Sequence, residues 1–264
     1  MMELGLVGNC SVAGLIDPHG SLNWFCLPRF DGDPVFHALV GSGPDDPDDG
    51  AFKIEMEALK EAEQAYLPNT AILRTVLKGS GGAVEIVDFC PRFEAYGRRF
   101  RPRMFIRQIR PLDGWPRIRI KVRPRFEYGT KAPFVTGGSN HLRYVGENEV
   151  LRLTSDAPLD HVQSEQVFHL NRPYTFILGP DETLADAPGQ TGDRFLNDTR
   201  GYWEGWSQRL AVPFEWQDAV IRSAITLKLC NYEQTGGIVA AMTTSLPEAP
   251  HSGRNWDYRF CWVR

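Results

Sequence analysis

Residues 117–123 read Arg-Ile-Arg-Ile-Lys-Val-Arg, a strict alternation of cationic and branched aliphatic side chains. Successive side chains of a β-strand point to opposite faces, so this run predicts a strand with Ile118, Ile120 and Val122 on one face. Short alternating runs of this kind, separated by turn residues, continue through the first 200 residues. One of them follows the turn at 17–20 (Asp-Pro-His-Gly) and is predicted to form a hairpin with the run before it.

These runs together predict a mainly β protein with about ten strands. The further strand candidates are Thr70–Lys78, Ala83–Phe89, Met104–Arg110, His141–Val145, Glu149–Thr154, Gln163–Leu170 and Tyr174–Gly179. Because no helices separate them, an antiparallel two-sheet sandwich is favoured over a parallel α/β fold. One stretch departs from the pattern, since Glu55–Ala65 consists of good helix formers and predicts a short surface helix.

A helical period replaces the alternation after about residue 200, from Pro213 onward. Trp216 and Leu227 fall on one face of this predicted helix, and Ile225 widens the apolar stripe. One helix cannot bury so broad a stripe alone. We therefore expect it to pack on the sandwich or on helices outside this chain. The chain ends inside an aromatic run at Arg264, so we expect that it is a truncated part of a longer protein.

Composition excludes several classes of protein. With 42% hydrophobic and 23% charged residues the chain is typical of a globular protein, and disorder is excluded. With a net charge of −4, the chain has no overall positive charge that would attract nucleic acid or an anionic membrane. No basic leader and no run of about 18 apolar residues occurs. We expect a cytoplasmic protein that binds neither nucleic acid nor a membrane.

Positive charge is nevertheless concentrated between Arg98 and Arg125, where eleven Arg or Lys residues accompany one acid, Asp113. A basic strand could bind nucleic acid, phosphate or an acidic partner domain. We favour a solvent-facing sheet whose charges are balanced by neighbouring acids, because antiparallel sheets normally place polar residues outward. No aromatic side chain interleaves with the cations of 117–123, which weakens the nucleic-acid alternative. The segment 41–50 is predicted to be a solvated acidic loop.

Metal, cofactor and common hydrolase motifs are missing from the sequence. Five cysteines form no CxxC pair, and six histidines show no ligand spacing. The cysteines are expected to be reduced and mostly buried, and no metal or cofactor is predicted. No nucleophile elbow, zinc-protease, phosphate-loop or dinucleotide fingerprint occurs. The segment 254–264 (Arg-Asn-Trp-Asp-Tyr-Arg-Phe-Cys-Trp-Val-Arg) combines aromatic, carboxylate and guanidinium groups, which suits either a polar-ligand pocket or plain packing.

A series of blocks resembles the bacterial glucoamylase/trehalase-like proteins of glycoside hydrolase family 15, in the family's order. The blocks are Gly8–Cys10, Ala13–Asp17, Gly20–Asp31, Tyr66–Thr70, Val87–Arg92, Pro124–Gly129, Arg222–Lys228, Thr243–Glu248 and Arg254–Arg264. The resemblance implies an N-terminal β super-sandwich over 1–200, a helical linker over 201–212 and, over 213–264, the start of a truncated (α/α)6 catalytic barrel.

The resemblance also implies a function. Family members invert the anomeric carbon with two glutamates. These are expected downstream of Arg264, so no catalytic residue is predicted in this chain. Tyr258, Trp262 and Arg264 match positions that line the subsite for the non-reducing glucose. The chain is thus predicted to be the non-catalytic sandwich region of an inverting α-glucoside hydrolase, inactive alone, that packs on the missing barrel and helps to shape its site. The expected substrates are α-linked glucose oligosaccharides or trehalose.

Two other classes of function remain open. The sandwich and its aromatic residues also suit a stand-alone carbohydrate-binding or regulatory module. Alternatively, linker and helix surfaces left without a barrel could associate, which would make the chain a structural piece that forms a homo-oligomer. Sugar titration and sedimentation distinguish these alternatives.

Overall fold

Antiparallel strands build most of the protein, whose computed structural model describes residues 3–41, 49–244, 253 and 256–262. In chain order the strands are β1 (Gly5–Gly8), β2 (Ala13–Ile16), β3 (Leu22–Cys26), β4 (Pro34–Phe36), β5 (Phe52–Met56), β6 (Leu59–Tyr66), β7 (Leu73–Gly79), β8 (Gly82–Phe89), β9 (Phe93–Ala95), β10 (Arg98–Phe100), β11 (Phe105–Gly114), β12 (Arg117–Val122), β13 (Phe134–Gly137), β14 (His141–Val145), β15 (Val150–Ser155), β16 (Phe168–His169), β17 (Tyr174–Pro180), β18 (Asn231–Tyr232) and β19 (Gly237–Ile238). The α-helices are α1 (Leu159–Gln163), α2 (Pro188–Ser207) and α3 (Gln217–Leu229).

The strands form two large sheets. The first, seven-stranded sheet has the order β1-β2-β3-β5-β12-β16, with β4 paired to β3. The second, eight-stranded sheet has the order β13-β14-β15-β17-β11-β8-β7-β6. Two small hairpins, β9–β10 and β18–β19, lie outside them. Every strand pair in these sheets is antiparallel.

The main core lies between the two sheets. Phe25 and Phe52 of the seven-stranded sheet meet Phe105 and Phe176 of the eight-stranded sheet, with ring centroids 5.7–6.3 Å apart. All four rings are fully buried. Because a sheet with one apolar face must bury that face, the two sheets pack as a sandwich. The predicted mainly β, antiparallel fold is confirmed.

The helices cover other surfaces of the sandwich. Helix α2 packs through Phe195 and Leu196 on the outer face of the eight-stranded sheet, where Val87 and Ile106 belong to the same cluster. A further cluster, centred on the buried Trp203, joins α2 and α3 to strands β1 and β2. The helical part of the protein is therefore attached to the sandwich by apolar side chains. Among the described residues, no helix is long and apolar enough to cross a membrane.

The helix predicted over Glu55–Ala65 is wrong, because this stretch forms the end of β5 and most of β6. Strand β6 lies at the edge of the eight-stranded sheet and pairs with β7. Its side chains alternate, so that Ala62 and Tyr66 pack on the core while Glu63 forms an ion pair with Lys78 of β7. Pairing with β7 thus overrides the helix propensity of the individual residues.

Two further boundaries differ from the predicted ones. The strand predicted over Gln163–Leu170 is mostly not strand, because α1 ends at Gln163 and β16 covers only Phe168–His169. The run before the turn at 17–20 is itself a hairpin, β1–β2, and β2 then pairs with β3 as predicted. The acidic loop predicted over 41–50 lies mostly outside the described residues.

Helix α3 begins at Gln217, later than Pro213, and packs with only part of its apolar stripe. Ile225 and Leu229 are buried against the cluster around Trp203. By contrast, Leu227 is 64% exposed and Trp216, which precedes the helix, is 78% exposed. The helix therefore packs on the sandwich through one face and leaves a second apolar face in solvent. The preceding helix, α2, spans Pro188–Ser207.

Candidate functional site

The segment 256–262, which carries two of the three predicted site residues, lies beside the strand end at 239–241. The amide of Ala241 donates to the carbonyl of Tyr258 at 3.0 Å, and the amide of Ala240 donates to that of Phe260 at 3.3 Å. An isolated antiparallel bridge joins Val239 and Cys261. These bonds fix the backbone on which the predicted sugar-binding side chains are carried.

Arg259 attaches this segment to the sandwich. Its side chain is buried, whereas Tyr258 before it is half-buried and Phe260 after it is exposed. Its guanidinium donates to both carboxylate oxygens of Asp257, at 2.9 and 2.8 Å, and to the carbonyl of Gly32. The remaining N–H groups contact the Cys26 sulfur at 3.6 Å and the Tyr128 hydroxyl at 2.9 Å. A guanidinium has five N–H donors, so each of them has a partner here.

The electrostatics of this cluster keep both partners charged. Burial alone would raise the pKa of the Asp257 carboxyl, but the hydrogen bonds from Arg259 outweigh it and hold that pKa below its usual value. Burial would likewise lower the pKa of Arg259, yet the bonds to Asp257 and Tyr128 raise it further above its ordinary range. Because both oxygens of Asp257 accept bonds from Arg259, this carboxylate is suited to holding the segment and not to donating a proton.

The structure brings two of the predicted site residues together. The rings of Tyr258 and Trp262 lie nearly parallel, with an interplanar angle of 8° and centroids 6.3 Å apart. Trp262 is 46% exposed, and Trp256 and Phe260 are also exposed on the same segment. A flat, partly exposed aromatic pair offers an apolar platform with polar groups at its edge. The third predicted residue, Arg264, lies outside the described residues.

Sequence reasoning missed the residues that hold this segment. The ring of Trp24 lies 5.8 Å from the Arg259 guanidinium carbon, and Gly32 and Tyr128 supply two of its acceptors. The sequence presents Arg259 only as part of a dense charged and aromatic run. Its partners lie in distant turns of the sandwich, and the only signal for Tyr128 was its membership of the block Pro124–Gly129.

The concentrated positive charge is balanced, as the favoured interpretation predicted. On strand β12, Arg117 pairs with Glu57 at 2.8 Å, and both Arg119 and Lys121 pair with Glu55. Just after the strand, Arg123 pairs with Glu165 at 2.6 Å and Arg125 with Asp49 at 2.8 Å. These ion pairs form a sheet face of mixed charge, as is usual for an antiparallel sheet that faces solvent.

The buried acids of the sandwich are also held by arginines. Asp88 accepts two bonds from Arg107, and both side chains are fully buried. Glu85 lies between Arg74 and Arg110. Burial opposes ionisation of Glu85, but the bonds from these arginines keep the pKa of its carboxyl below its usual value. These carboxylates act as structural acceptors.

The cysteines of this protein are free thiols, and most of them are removed from solvent. All five cysteines are free, and Cys10, Cys26 and Cys90 are buried, as expected. Burial raises the pKa of the Cys26 thiol to about 12, which leaves it protonated at neutral pH. Within the described ranges, no group of three or more His, Cys, Asp or Glu side chains is placed to hold a metal ion.

Comparison with known proteins places the chain in a family. The family model described as "Trehalase-like, N-terminal" matches residues 2–172, and the model "Glycosyl hydrolases family 15" matches residues 216–264. Trehalase 1 of Sulfolobus acidocaldarius is 32% identical over 100% of this chain and 44% of its own length. A trehalase of Thermoplasma volcanium is 30% identical over 98% of this chain and 42% of its own length. The chain thus spans less than half the length of these curated relatives.

A solved structure supports the same fold. A bacterial glucoamylase complexed with acarbose superposes with a TM-score of 0.61, over 98% of this chain and 45% of the glucoamylase chain. Its sequence identity is 12%, so this likeness concerns the fold alone. It fits a sandwich followed by part of a helical barrel. The family model that matches residues 2–172, more than half of the chain, shows that the chain belongs to the trehalase-like N-terminal family, and with the second family match it is a trehalase- and glucoamylase-like N-terminal region of glycoside hydrolase family 15.

Proposed function

We propose that this chain is the non-catalytic N-terminal part of an inverting α-glucoside hydrolase and that it carries the first wall of the sugar site. The observation behind this proposal is the parallel pair Tyr258 and Trp262, held on a segment that Arg259 ties to the sandwich. The pair lies inside the region that matches the glycosyl hydrolase family 15 model. In the proposed role, the two rings contact the non-reducing glucose, and Arg264 binds its hydroxyl groups.

Trehalose is the first substrate to test, because the relatives that align with nearly the whole chain are named trehalases. Maltose and isomaltose follow, because the family resemblance extends to glucoamylase-like proteins. We propose that the domains divide as the sequence suggested, with the sandwich over 1–200, the linker over 201–212 and the start of the catalytic domain over 213–264. The cytoplasmic location and a possible homo-oligomer remain predictions.

Inverting hydrolysis needs one carboxylic acid to protonate the leaving oxygen and one carboxylate to activate water on the opposite side of the sugar ring. In the sandwich, Asp88 and Glu85 are held by arginines, and Asp257 is held by Arg259. The arginines hold the pKa of the Glu85 and Asp257 carboxyls below their usual values, so these two are poor proton donors. Burial raises the pKa of Asp88, but this side chain is fully buried with both oxygens bonded to Arg107, so it cannot reach a substrate. We therefore assign both catalytic carboxylates to the part of the longer relatives that this chain does not match.

The direct test is to incubate the purified chain with trehalose, maltose and isomaltose and to measure glucose release. We expect none, and steady release by the chain would overturn the non-catalytic role. Glu149 provides the informative variant if release occurs. Burial, with Asp33 and Glu127 nearby, raises the pKa of its carboxyl, which is the environment of a general acid. Loss of release in Glu149→Gln would then locate the activity.

A second candidate function, a carbohydrate-binding module, is favoured by a groove of about 360 Å³ between the β9–β10 hairpin and helix α2. Its lining includes Tyr202 and Trp206, and its polar side chains are Glu94, Arg99, Asn197, Asp198 and Arg209. Aromatic side chains with a few polar groups are typical of a small polar-ligand site.

Two glycines of α2 support this candidate. Gly201 and Gly205 line the groove, and a Cβ added to either would meet no atom within 4 Å. The fold does not require glycine there, although a glycine inside a helix costs about 1 kcal/mol relative to alanine. Both positions leave open space in the groove, which the proposed ligand would occupy.

Calorimetric titration with trehalose and maltose tests the groove. Saturable binding that Gly201→Leu abolishes and Gly201→Ala preserves would support the module, since only leucine fills the groove. Both substitutions should stabilise the helix, so misfolding cannot account for the loss. Flat titrations of the unsubstituted chain would exclude this candidate.

A further inference from the structure

A turn of the sandwich between β12 and β13 has an unusual backbone. Glu127 and Tyr128 have φ values of 51° and 53°, and Gly129, with φ of 90°, follows them. The left-handed region costs a residue with a side chain about 1–2 kcal/mol. Phe126 and Lys131 exchange two backbone hydrogen bonds, at 2.9 and 3.1 Å, that close the turn. Two adjacent non-glycine residues in this region persist only where their surroundings hold them.

The base of the turn is packed tightly. A Cβ at Gly129 would lie 2.7 Å from ring atoms of His37, a side chain that is itself buried. The hydroxyl of Thr130 donates to the carbonyl of Glu127 at 2.7 Å. The chain therefore has little freedom to relax out of the left-handed conformation while His37 stays in place.

This backbone directs the Tyr128 hydroxyl at the C-terminal segment. The Tyr128 residue is 47% exposed, so burial of its ring is not what holds it. Its hydroxyl accepts a hydrogen bond from Nη2 of Arg259 at 2.9 Å. The same Nη2 also donates to Asp257. Without Tyr128, one N–H of a nearly inaccessible guanidinium would lose its acceptor, which costs free energy because that group is already removed from water.

Arg259 is adjacent to Tyr258 in the chain and three residues before Trp262. Its position is set by contacts at opposite ends of the guanidinium, with Gly32 on Nη1 and Tyr128 on Nη2. Two anchor points on a planar fork fix its orientation as well as its place. A fixed Arg259 therefore also fixes the adjacent backbone, which carries the rings of Tyr258 and Trp262.

We propose that the turn at 126–131 is a positioning element in which Tyr128 orients Arg259 and thereby sets the geometry of the Tyr258–Trp262 ring pair. The inference rests on the proposed function in one respect, the assignment of that ring pair to sugar contact. Tyr128 is a positioning residue that acts through Arg259, and it touches no substrate in this role.

The test compares Tyr128→Phe with Tyr96→Phe in this chain. Tyr96 is a matched control, because it is also left-handed, with φ of 52°, and is 97% exposed at the tip of the β9–β10 hairpin. The readout is hydrogen exchange at the amides of Ala240 and Ala241, whose acceptors are carbonyls of the segment. We expect Tyr128→Phe to accelerate their exchange about three- to tenfold, as the loss of one hydrogen bond implies. Tyr96→Phe should leave it unchanged. Equal exchange in the two variants would overturn the proposal.

A double variant tests the route through Arg259. In an Arg259→Gln background, Tyr128→Phe should add nothing to the exchange rate, because the shared contact is already lost. An additive effect would show that Tyr128 acts otherwise and would also overturn the proposal.

Trehalose titration of the same variants separates this inference from the proposed function. A higher Kd for trehalose in Tyr128→Phe but not in Tyr96→Phe supports both the positioning role of Tyr128 and the proposed sugar contact. If exchange responds as expected while the unsubstituted chain binds no trehalose, the turn still positions the ring pair, but sugar contact by that pair in the isolated chain is excluded.

Discussion

Two arginine–aspartate pairs in this protein make nearly the same contacts in different regions. In the sandwich, Arg107 donates to both oxygens of Asp88, at 2.7 and 2.9 Å, and to the carbonyls of Phe52 and Gly20. In the C-terminal segment, Arg259 donates to both oxygens of Asp257 and to a carbonyl of the sandwich. Each guanidinium also lies near an aromatic ring.

The pairs differ in what surrounds them. Both side chains of the first pair are fully buried, whereas the carboxylate of the second is 29% exposed and lies between the exposed Trp256 and the half-buried Tyr258. A pair closed on all sides links elements of one core, so its loss affects the whole fold. A pair at an edge fixes one segment and leaves the adjacent rings accessible. Burial, and not the type of contact, thus distinguishes a stabilising pair from a positioning pair.

The largest expected effect tests this distinction directly. Asp88→Asn should lower the free energy of unfolding by about 3–5 kcal/mol, because it leaves the Arg107 charge buried without its counter-ion. Asp257→Asn should lower it by about 1 kcal/mol or less, since solvent replaces part of what is lost. Urea denaturation of both variants gives the two values. Losses of equal size would contradict the comparison.

A second matched pair lies on helix α3, where Leu229 is fully buried and Leu227 is 64% exposed. Leu229→Ala should cost about 2–4 kcal/mol, because it opens a cavity in the cluster that joins the helix to the sandwich. Leu227→Ala should change stability by less than about 0.5 kcal/mol. Thermal and urea unfolding measure both. A large loss for Leu227→Ala would mean that the exposed face of α3 is covered in solution, for example by self-association.

The sequence predicted the sandwich wherever the period of two is visible locally. Strand β12 alternates strictly, and its buried Ile118 and Ile120 are those that the pattern placed on one face. Strand β6 was missed because its composition favours a helix, and only its pairing with β7 makes it a strand. The propensities of individual residues contain no information about a partner strand. Prediction from sequence therefore fails most often for edge strands rich in Ala, Glu and Lys.

In the candidate site, too, a local stretch of sequence predicted some residues, while long-range contacts were not predicted. Tyr258 and Trp262 were predicted from a resemblance carried by a contiguous block, and the structure places their rings together. The partners of Arg259 were not predicted, because Gly32 is 227 and Tyr128 is 131 positions away in the chain. Contacts across such separations follow from how the sandwich folds. A block of residues can therefore suggest which side chains meet a ligand without indicating what holds them.

The ion pair between Arg259 and Asp257 should remain intact at neutral pH and weaken only in acid. Arg259 holds the pKa of Asp257 below its usual value. The bond between them therefore stabilises the attachment of segment 256–262 to the sandwich above about pH 4, and this contribution is lost as the pH falls further. Amide chemical shifts of Ala240 and Ala241, followed from pH 7 to pH 3, report the release. The same titration of Asp257→Asn is the control. Shifts that move equally in that variant would assign the transition to other carboxylates.

The smallest expected effect compares two left-handed tyrosines. Tyr96→Gly should raise stability by about 0.5–1 kcal/mol, because glycine adopts a positive φ without steric cost and the 97% exposed Tyr96 side chain loses no packing. Tyr128→Gly gains the same relief but removes the acceptor of an Arg259 N–H. Its stability should therefore be unchanged or lower. Thermal unfolding of both variants gives the comparison. Equal stabilisation by the two would mean that the Tyr128 bond contributes nothing, and the strain at 127–128 would then need another cause.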